Sequence, residues 1–229
     1  MLTERLRTIL LGPPRASLVP PPRPIYLGRG CGLPNEKEVI ETRASRGLDQ
    51  FFSYIKDETG LAILDLSGLT QSNVDFITSL GHKLYTEDFL RSLYATFPEE
   101  SDQMNSGLIE RFLNENLNYE DDTFSGVLVW DVLEHMARPL LAATVERLAR
   151  IVKPKSYLLA LFHAQERASS VPFYSFRIAD SKSMTVNMRG SRTPTQILNN
   201  RTLEKLFHKF ESLKFFLTRE HLREVIVKR

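Results

Sequence analysis

A single cysteine, Cys31, stands in this chain of 229 residues. No disulfide can form within the chain, so its stability has to come from packing, as in a reducing compartment. Long hydrophobic runs are missing too. The longest apolar stretches are strand-sized, so none crosses a bilayer as a helix. Ile9-Leu10-Leu11 is shorter than the apolar core of a secretory signal, and no small-residue cleavage site follows it closely. A cytoplasmic location is the expectation. An excess of one charge is lacking: 30 Lys and Arg stand against 28 Asp and Glu, a net charge of +2. That balance excludes a molecule built throughout to bind polyanions, so nucleic acid is not indicated. The five histidines (82, 135, 163, 208 and 221) are scattered, and no metal-ligand spacing links them to Cys31. No metal site is expected. The chain carries neither a phosphate loop of the form G-x-x-x-x-G-K nor a G-x-S-x-G elbow.

What is present is a soluble composition, 42% hydrophobic and 25% charged, in a length that suits one core. Seven of the twelve prolines lie at 13, 14, 20, 21, 22, 24 and 34, among Arg5, Arg7, Arg15, Arg23 and Arg29. Residues 1–34 therefore read as a short helix, with Leu2, Leu6, Ile9 and Leu10 on one face, followed by a basic polyproline-like arm. The short helix either docks on the domain's own surface or frays, or it serves as a foot for a partner or a membrane, and the arm is the candidate route to a protein partner. Residues 35–229 read as one folded domain. Asn35 and Glu38 have capping-box spacing. They predict a helix whose buried face includes Val39, Phe51, Phe52 and Ile55, with a break near Gly47.

Strand and helix patterns then alternate. Residues 61–66 predict a strand, 74–80 a helix and 83–86 a strand. Leu108, Phe112, Leu113 and Leu117 mark a helix. Phe124 to Val129 form a buried strand, Leu141, Val145, Leu148 and Val152 mark a helix, and Tyr157 to Phe162 a further strand. Alternation of this kind implies α/β architecture with a doubly wound, mostly parallel sheet. Phe173 to Ile178 and Met184 to Met188 predict a small antiparallel insertion. Leu203, Leu206, Phe207 and Phe210 mark a helix capped at Asn199 or Asn200. Leu213 to Leu217 and Val225 to Val227 predict a closing antiparallel hairpin. The basic residues Arg177, Lys182, Arg189, Arg192 and Arg201 fit an ordinary charged face over the insertion.

Asp131 falls at the carboxyl end of the Phe124 strand, where open α/β sheets keep their ligand crevice. With Val132, Leu133, Glu134 and His135 it forms a D-x-L-E-H run. A helix ending at Val152-Lys153-Pro154-Lys155-Ser156 and a strand ending at His163 follow. This unit resembles the second half of the class I S-adenosylmethionine-dependent methyltransferases, which carry such a run, then a helix ending L-K-P-G-G. The resemblance extends back to Ile63-Leu64-Asp65-Leu66-Ser67-Gly68-Leu69-Thr70-Gln71, in the place of the family's glycine-rich cofactor loop. It implies a Rossmann-like methyltransferase fold, S-adenosylmethionine as cofactor and transfer of its methyl group to an acceptor the sequence does not name. Carried over residue by residue, it implies cofactor contacts from Asp65, Ser67, Gly68 and Asp131. A ribose-binding acid is implied at Asp88, or Glu87 beside it. His135 and His163 are the candidates for a base.

The sequence departs from the family at defined points. The three loop glycines become Ser67, Leu69 and Gln71, with Gly68 one position off. A side chain at Leu69 stands where the cofactor needs bare backbone. The third strand of the family is not evident; Leu90 to Phe97 is the one candidate, and Asp102 the one nearby acid. The alternative is accordingly a methyltransferase-like domain that has lost cofactor binding and serves as an interaction or scaffolding module. The structural roles open to the same residues are plain. Asp65 can bond nearby amides, Asp131 can cap the segment after it, and both histidines can be packing residues.

Overall fold

The computed structural model describes residues 40–165, 169–196, 198–218 and 221–229. The expected N-terminal helix and arm, Cys31, and the capping pair Asn35 and Glu38 lie outside them. Strand β1 (Ile40–Ala44) comes first, followed by helix α1 (Arg46–Ile55). Then come β2 (Ala62–Asp65), α2 (Gln71–Ser79), β3 (Lys83–Thr86) and α3 (Phe89–Thr96). A 3-10 turn (Glu100–Met104) leads into α4 (Ser106–Asn116) and β4 (Phe124–Trp130). A second 3-10 turn (Val132–His135) precedes α5 (Arg138–Ile151) and β5 (Val152–His163). The chain closes with β6 (Val171–Asp180), β7 (Ser183–Arg192), α6 (Asn200–Leu206), β8 (Ser212–Leu217) and β9 (Leu222–Lys228).

The main sheet has the order β3-β2-β4-β5-β9-β8. Its first four strands are parallel, and β9 and β8 close it antiparallel. Strand residues alternate between two cores. Leu64, Val127, Val129, Leu158 and Phe162 face the core shared with α3, α4, α5 and α6. Ile63, Leu128, Trp130, Leu159 and Leu161 face the core shared with α1 and α2. Helices thus cover both faces, and the doubly wound, mostly parallel expectation holds. This strand order with its closing hairpin is the class I methyltransferase fold. The chain runs outward in opposite directions from β2 and from β4, so the topological switch point lies between these two strands.

The insertion is larger than expected. Strands β6 and β7 pair with β1 to form a separate sheet of order β1-β7-β6. The predicted helix through residues 40–44 is corrected here. Those residues form an extended edge, Ile40 opposite Asn187 and Ala44 opposite Ser183. Pairing with β7 overrides their local helical spacing, and the helix starts only where Ser45 accepts from Leu48 N at 3.0 Å. Leu48, Phe51, Phe52 and Ile55 then fall on one buried stripe.

A second correction concerns Leu90 to Phe97, which is not a strand. Phe89, Leu93 and Phe97 recur every four residues and bury one helical face. The sheet therefore ends at β3, and α3, the 3-10 turn and α4 stand in place of the family's third strand. Asp102 does not reach the strand tips. Its carboxylate accepts from Glu99 N at 3.2 Å and closes the 3-10 turn.

Helix α1 is held from below by Glu224 of β9, which is fully buried. Its Oε2 accepts from Gly47 N at 2.5 Å, while Oε1 has no partner among the described residues. Burial pushes this carboxyl up from its ordinary value of 4.5, and the helix-terminal amides only partly oppose that. An acid whose folded pKa is raised contributes stability below its unfolded pKa, and loses it as pH rises toward the folded value. Glu224→Gln keeps an acceptor for Gly47 without the charge. Relative to the parent, its unfolding free energy is expected to rise as pH climbs from about 4.5 toward neutrality. Urea unfolding at both ends of that window checks this; a constant difference contradicts it.

Candidate functional site

Open α/β sheets bind ligands at the switch point, outside the carboxyl ends of the strands. Here that place is spanned by protein. Asp65, at the end of β2, is fully buried. Its Oδ1 accepts from Ser67 N at 2.9 Å, Ser67 Oγ at 2.8 Å and Trp130 Nε1 at 2.8 Å. Its Oδ2 accepts from Asn73 Nδ2 at 2.6 Å. Burial raises the Asp65 pKa, and the four hydrogen bonds counter part of the rise. A carboxylate offers about four lone-pair sites. All four bonds come from the chain itself.

The donor Trp130 is the last residue of β4, and its φ of 55° turns the strand end sharply. Its indole crosses the switch point to Asp65 on one edge. On its face it stacks on Phe176 of β6, with ring centroids 5.6 Å apart and planes within 5°. The three-stranded sheet thus lies over the strand tips. Strand β6 also covers the start of α2: Ile178 N donates to Asn73 Oδ1 at 2.8 Å. That helix N-terminus is where a ligand carboxylate is favoured on such a fold.

The loop residues form no cradle. Gly68 (φ 84°) donates its N–H to Glu87 O at 3.0 Å, and Ser67 and Asp88 make an isolated antiparallel bridge. A Cβ added to Gly68 would sit 3.3 Å from Asp88 Cβ, so loop and acid are already in contact. Asp88 itself caps α3, accepting from Arg91 N at 3.3 Å. Leu69 is 72% exposed, so its side chain is not packed into the crevice. Gln71 Nε2 donates to Asp75 Oδ1. The structure brings Asp65 and Ser67 together but puts them to work on one another, while Gly68 is bonded to Glu87. A nucleoside does not fit between Gly68 and Asp88 as they stand, nor a methionine group where Trp130 and Phe176 lie. The residues present therefore do not match S-adenosylmethionine in this conformation.

The other site residues form a second, adjacent cluster. Asp131 is 2% exposed and makes no capping bond through its side chain; its Oδ2 lies 3.6 Å from His135 Nε2. His135 Nδ1 bonds Tyr94 OH at 2.6 Å. Glu134 turns the opposite way. Its Oε1 accepts from His163 N at 2.7 Å and its Oε2 meets His163 Nδ1 at 2.5 Å. Arg192, at the end of β7, donates to the same Oε2 at 3.2 Å. Glu134 thereby ties β5 and β7 to the tip of β4. The two histidines do not converge: His135 faces α3, and His163 stacks beside Tyr174. Trp130, Asn73, Phe176, Tyr94 and Arg192 are the site residues the sequence did not single out. The one signal was a lone tryptophan placed directly before Asp131.

No protein-family model and no curated protein sequence matches the chain. Solved structures similar to it include a TehB-like S-adenosylmethionine-dependent methyltransferase from Corynebacterium glutamicum. That match has 10% identity and a TM-score of 0.44, over 80% of this chain and 87% of that one. A methyltransferase from Methanosarcina mazei is similar at 14% identity and a TM-score of 0.43, over 77% and 95%. A 1,6-didemethyltoxoflavin-N1-methyltransferase from Burkholderia thailandensis, with 1,6-didemethyltoxoflavin and S-adenosylhomocysteine bound, is similar at 9% identity and a TM-score of 0.42, over 79% and 74%. At such identities and TM-scores, no residue's role passes from those chains to this one. Among the described residues, no helix is long and apolar enough to cross a membrane, and no group of His, Cys, Asp and Glu could hold a metal ion.

Proposed function

We propose that this chain is a methyltransferase-fold protein whose cofactor crevice is closed by its own side chains, and that it works as a non-catalytic binding module. The observation that carries the reading is the Trp130 to Asp65 bond at 2.8 Å across the switch point, backed by Phe176. To admit a cofactor, the chain has to withdraw a fully buried indole and leave a buried carboxylate one donor short. A buried group left unpaired costs about 1–3 kcal/mol before the lost packing is counted. Residues 1–34, basic and rich in proline, are the segment expected to engage a protein partner.

The second reading is S-adenosylmethionine-dependent methyl transfer to an unnamed acceptor. The intact Asp131 to His135 run favours it, together with the unpartnered Asp131 Oδ2 beside that run. Calorimetric titration with S-adenosylmethionine separates the two. The closed-crevice reading predicts no heat at millimolar ligand and no rise in melting temperature. Micromolar binding that weakens in Asp88→Ala supports the enzyme instead. Ligand at about 100 times such a Kd would stabilise the fold by about 2.7 kcal/mol, which a thermal melt resolves.

A further inference from the structure

The three-stranded sheet has two edges, and they differ. Along β6, Ile178 N donates to Asn73 Oδ1 of α2, and Pro172 stands in the strand. Strand β1 lies at the other end of the sheet order and, among the described residues, pairs only with β7. Edge strands are commonly protected by Lys, Pro, a bulge or a covering element. Ile40-Glu41-Thr42-Arg43-Ala44 has no Lys, no Pro and no break in its register. Its backbone orientation follows from the pairing. Ser45 N donates to Lys182 O at 2.7 Å, one step beyond the pair of Ala44 with Ser183. Hydrogen-bonded and non-hydrogen-bonded pairs alternate along an antiparallel ladder. Glu41 and Arg43 therefore turn their N–H and C=O toward β7, and Ile40, Thr42 and Ala44 turn theirs outward. Side chains alternate as well. Glu41 and Arg43 share one face, where Arg43 Nη2 meets Glu41 Oε2 at 2.7 Å. Ile40, Thr42 and Ala44 share the other, and Ile40 is 59% exposed.

We propose that β1 is the contact through which two copies of this chain form a twofold dimer, with their β1 strands antiparallel and centred on Thr42. In that register Ile40 lies opposite the partner's Ala44, and Thr42 opposite the partner's Thr42. Every outward N–H and C=O of the strand then finds a partner, and the two three-stranded sheets join into one. Charge fixes the register. Glu41 stands opposite the partner's Arg43, and Arg43 opposite the partner's Glu41. Unlike charges and Thr–Thr pairs directly opposite one another stabilise an antiparallel ladder, and like charges destabilise it. The neighbouring registers that keep the outward groups in phase are centred on Glu41 or on Arg43. They set two glutamates or two arginines face to face, and leave one outward residue outside the pairing. The order Ile-Glu-Thr-Arg-Ala is thus complementary to its own reverse, which a twofold interface requires and an unrelated strand does not. The dimer rests on β1 and not on the crevice, so it holds whether or not a cofactor binds. A strand of five residues makes a small interface. The expected dimer is weak, with a Kd on the order of 100 μM.

The test is analytical ultracentrifugation of the full chain from about 10 μM to about 1 mM, a range that brackets this Kd. The mean mass should rise toward that of a dimer. Glu41→Arg, at an exposed position, sets like charges across the axis and should weaken association about tenfold. Thr42→Pro removes an outward N–H and leaves the bonds to β7 in place, a change that edge strands accept. It should abolish association while the far-ultraviolet circular dichroism stays that of the parent. Cross-linking with oxidised glutathione reads the register. In a Cys31→Ser background, Thr42→Cys brings two thiols together across the axis at a Cα separation of about 5.5 Å, which a disulfide spans, and should give a covalent dimer. Ile40→Cys holds them about 14 Å apart, and should not. If the full chain stays monomeric to the top of the range, or if Glu41→Arg and Thr42→Pro associate as the parent does, the dimer is refuted. Equal cross-linking of the two cysteine variants overturns the register. A monomer whose Thr42 and Ala44 amides resist hydrogen exchange has this edge covered by another segment of the same chain, which refutes the dimer as well.

Discussion

Trp130→Ala is expected to lower the unfolding free energy by about 3–5 kcal/mol, the usual cost of emptying a large aromatic site in a core. In a domain of this size that is a fall in melting temperature on the order of 10 °C. Two losses combine. The indole is 1% exposed, and its removal leaves a void against Phe176 in the core shared with α1 and α2. Asp65 Oδ1 also loses its only donor from β4. Because the two residues share one bond, Asp65→Ala and Trp130→Ala should not be additive. In the double variant, the cost expected is well below the sum of the single ones. Urea unfolding of the four proteins measures this. Additivity within about 0.3–0.5 kcal/mol, the usual result for independent sites, would contradict the bond across the switch point.

The second large effect is expected at Glu134. Its carboxylate is the shared acceptor for the His163 amide, the His163 ring and the Arg192 guanidinium, whose side chain is only 15% exposed. Glu134→Ala leaves a mostly buried cation without its partner, which costs about 3–5 kcal/mol in comparable buried pairs. The loss falls on the junction between the main sheet and the end of β7. Amide exchange in β6 and β7 should therefore accelerate more than in β2 or β4. Uniform acceleration across both sheets would show instead that Glu134 acts on global stability alone.

Most of the architecture was legible in the sequence because the main strands are buried on both faces. Phe124 to Val129 can hardly be anything but an interior strand, and the period of α5 continues from it without ambiguity. Where local pattern and long-range pairing compete, the sequence misled. Ile40 to Ala44 fit a helix until β7, 139 to 147 residues further along the chain, takes them as an edge. Leu90 to Phe97 fit either a short strand or a helix, and only the burial of Phe89, Leu93 and Phe97 together decides it. The site was legible in its positions and not in its wiring. Asp65, Asp88 and Asp131 do stand at strand ends. Which donors Asp65 meets depends on Trp130 and Asn73, and Trp130 is backed by Phe176 from a separate sheet, while Asp88 and Asp131 turn to Arg91 N and His135. The loop substitutions Ser67, Leu69 and Gln71 signalled an altered cofactor loop; they carried no information that an indole stands across the tips.

Trp130 is the chain's only tryptophan, so its indole reports on the crevice without interference. The most direct measurement is the indole N–H resonance and emission of the full chain, with and without millimolar S-adenosylhomocysteine. A closed crevice predicts slow exchange of that proton, blue-shifted emission that resists acrylamide, and no change on adding the nucleoside. A saturable shift of the resonance at micromolar ligand would mean that Trp130 gives way to it, and would contradict the closed crevice.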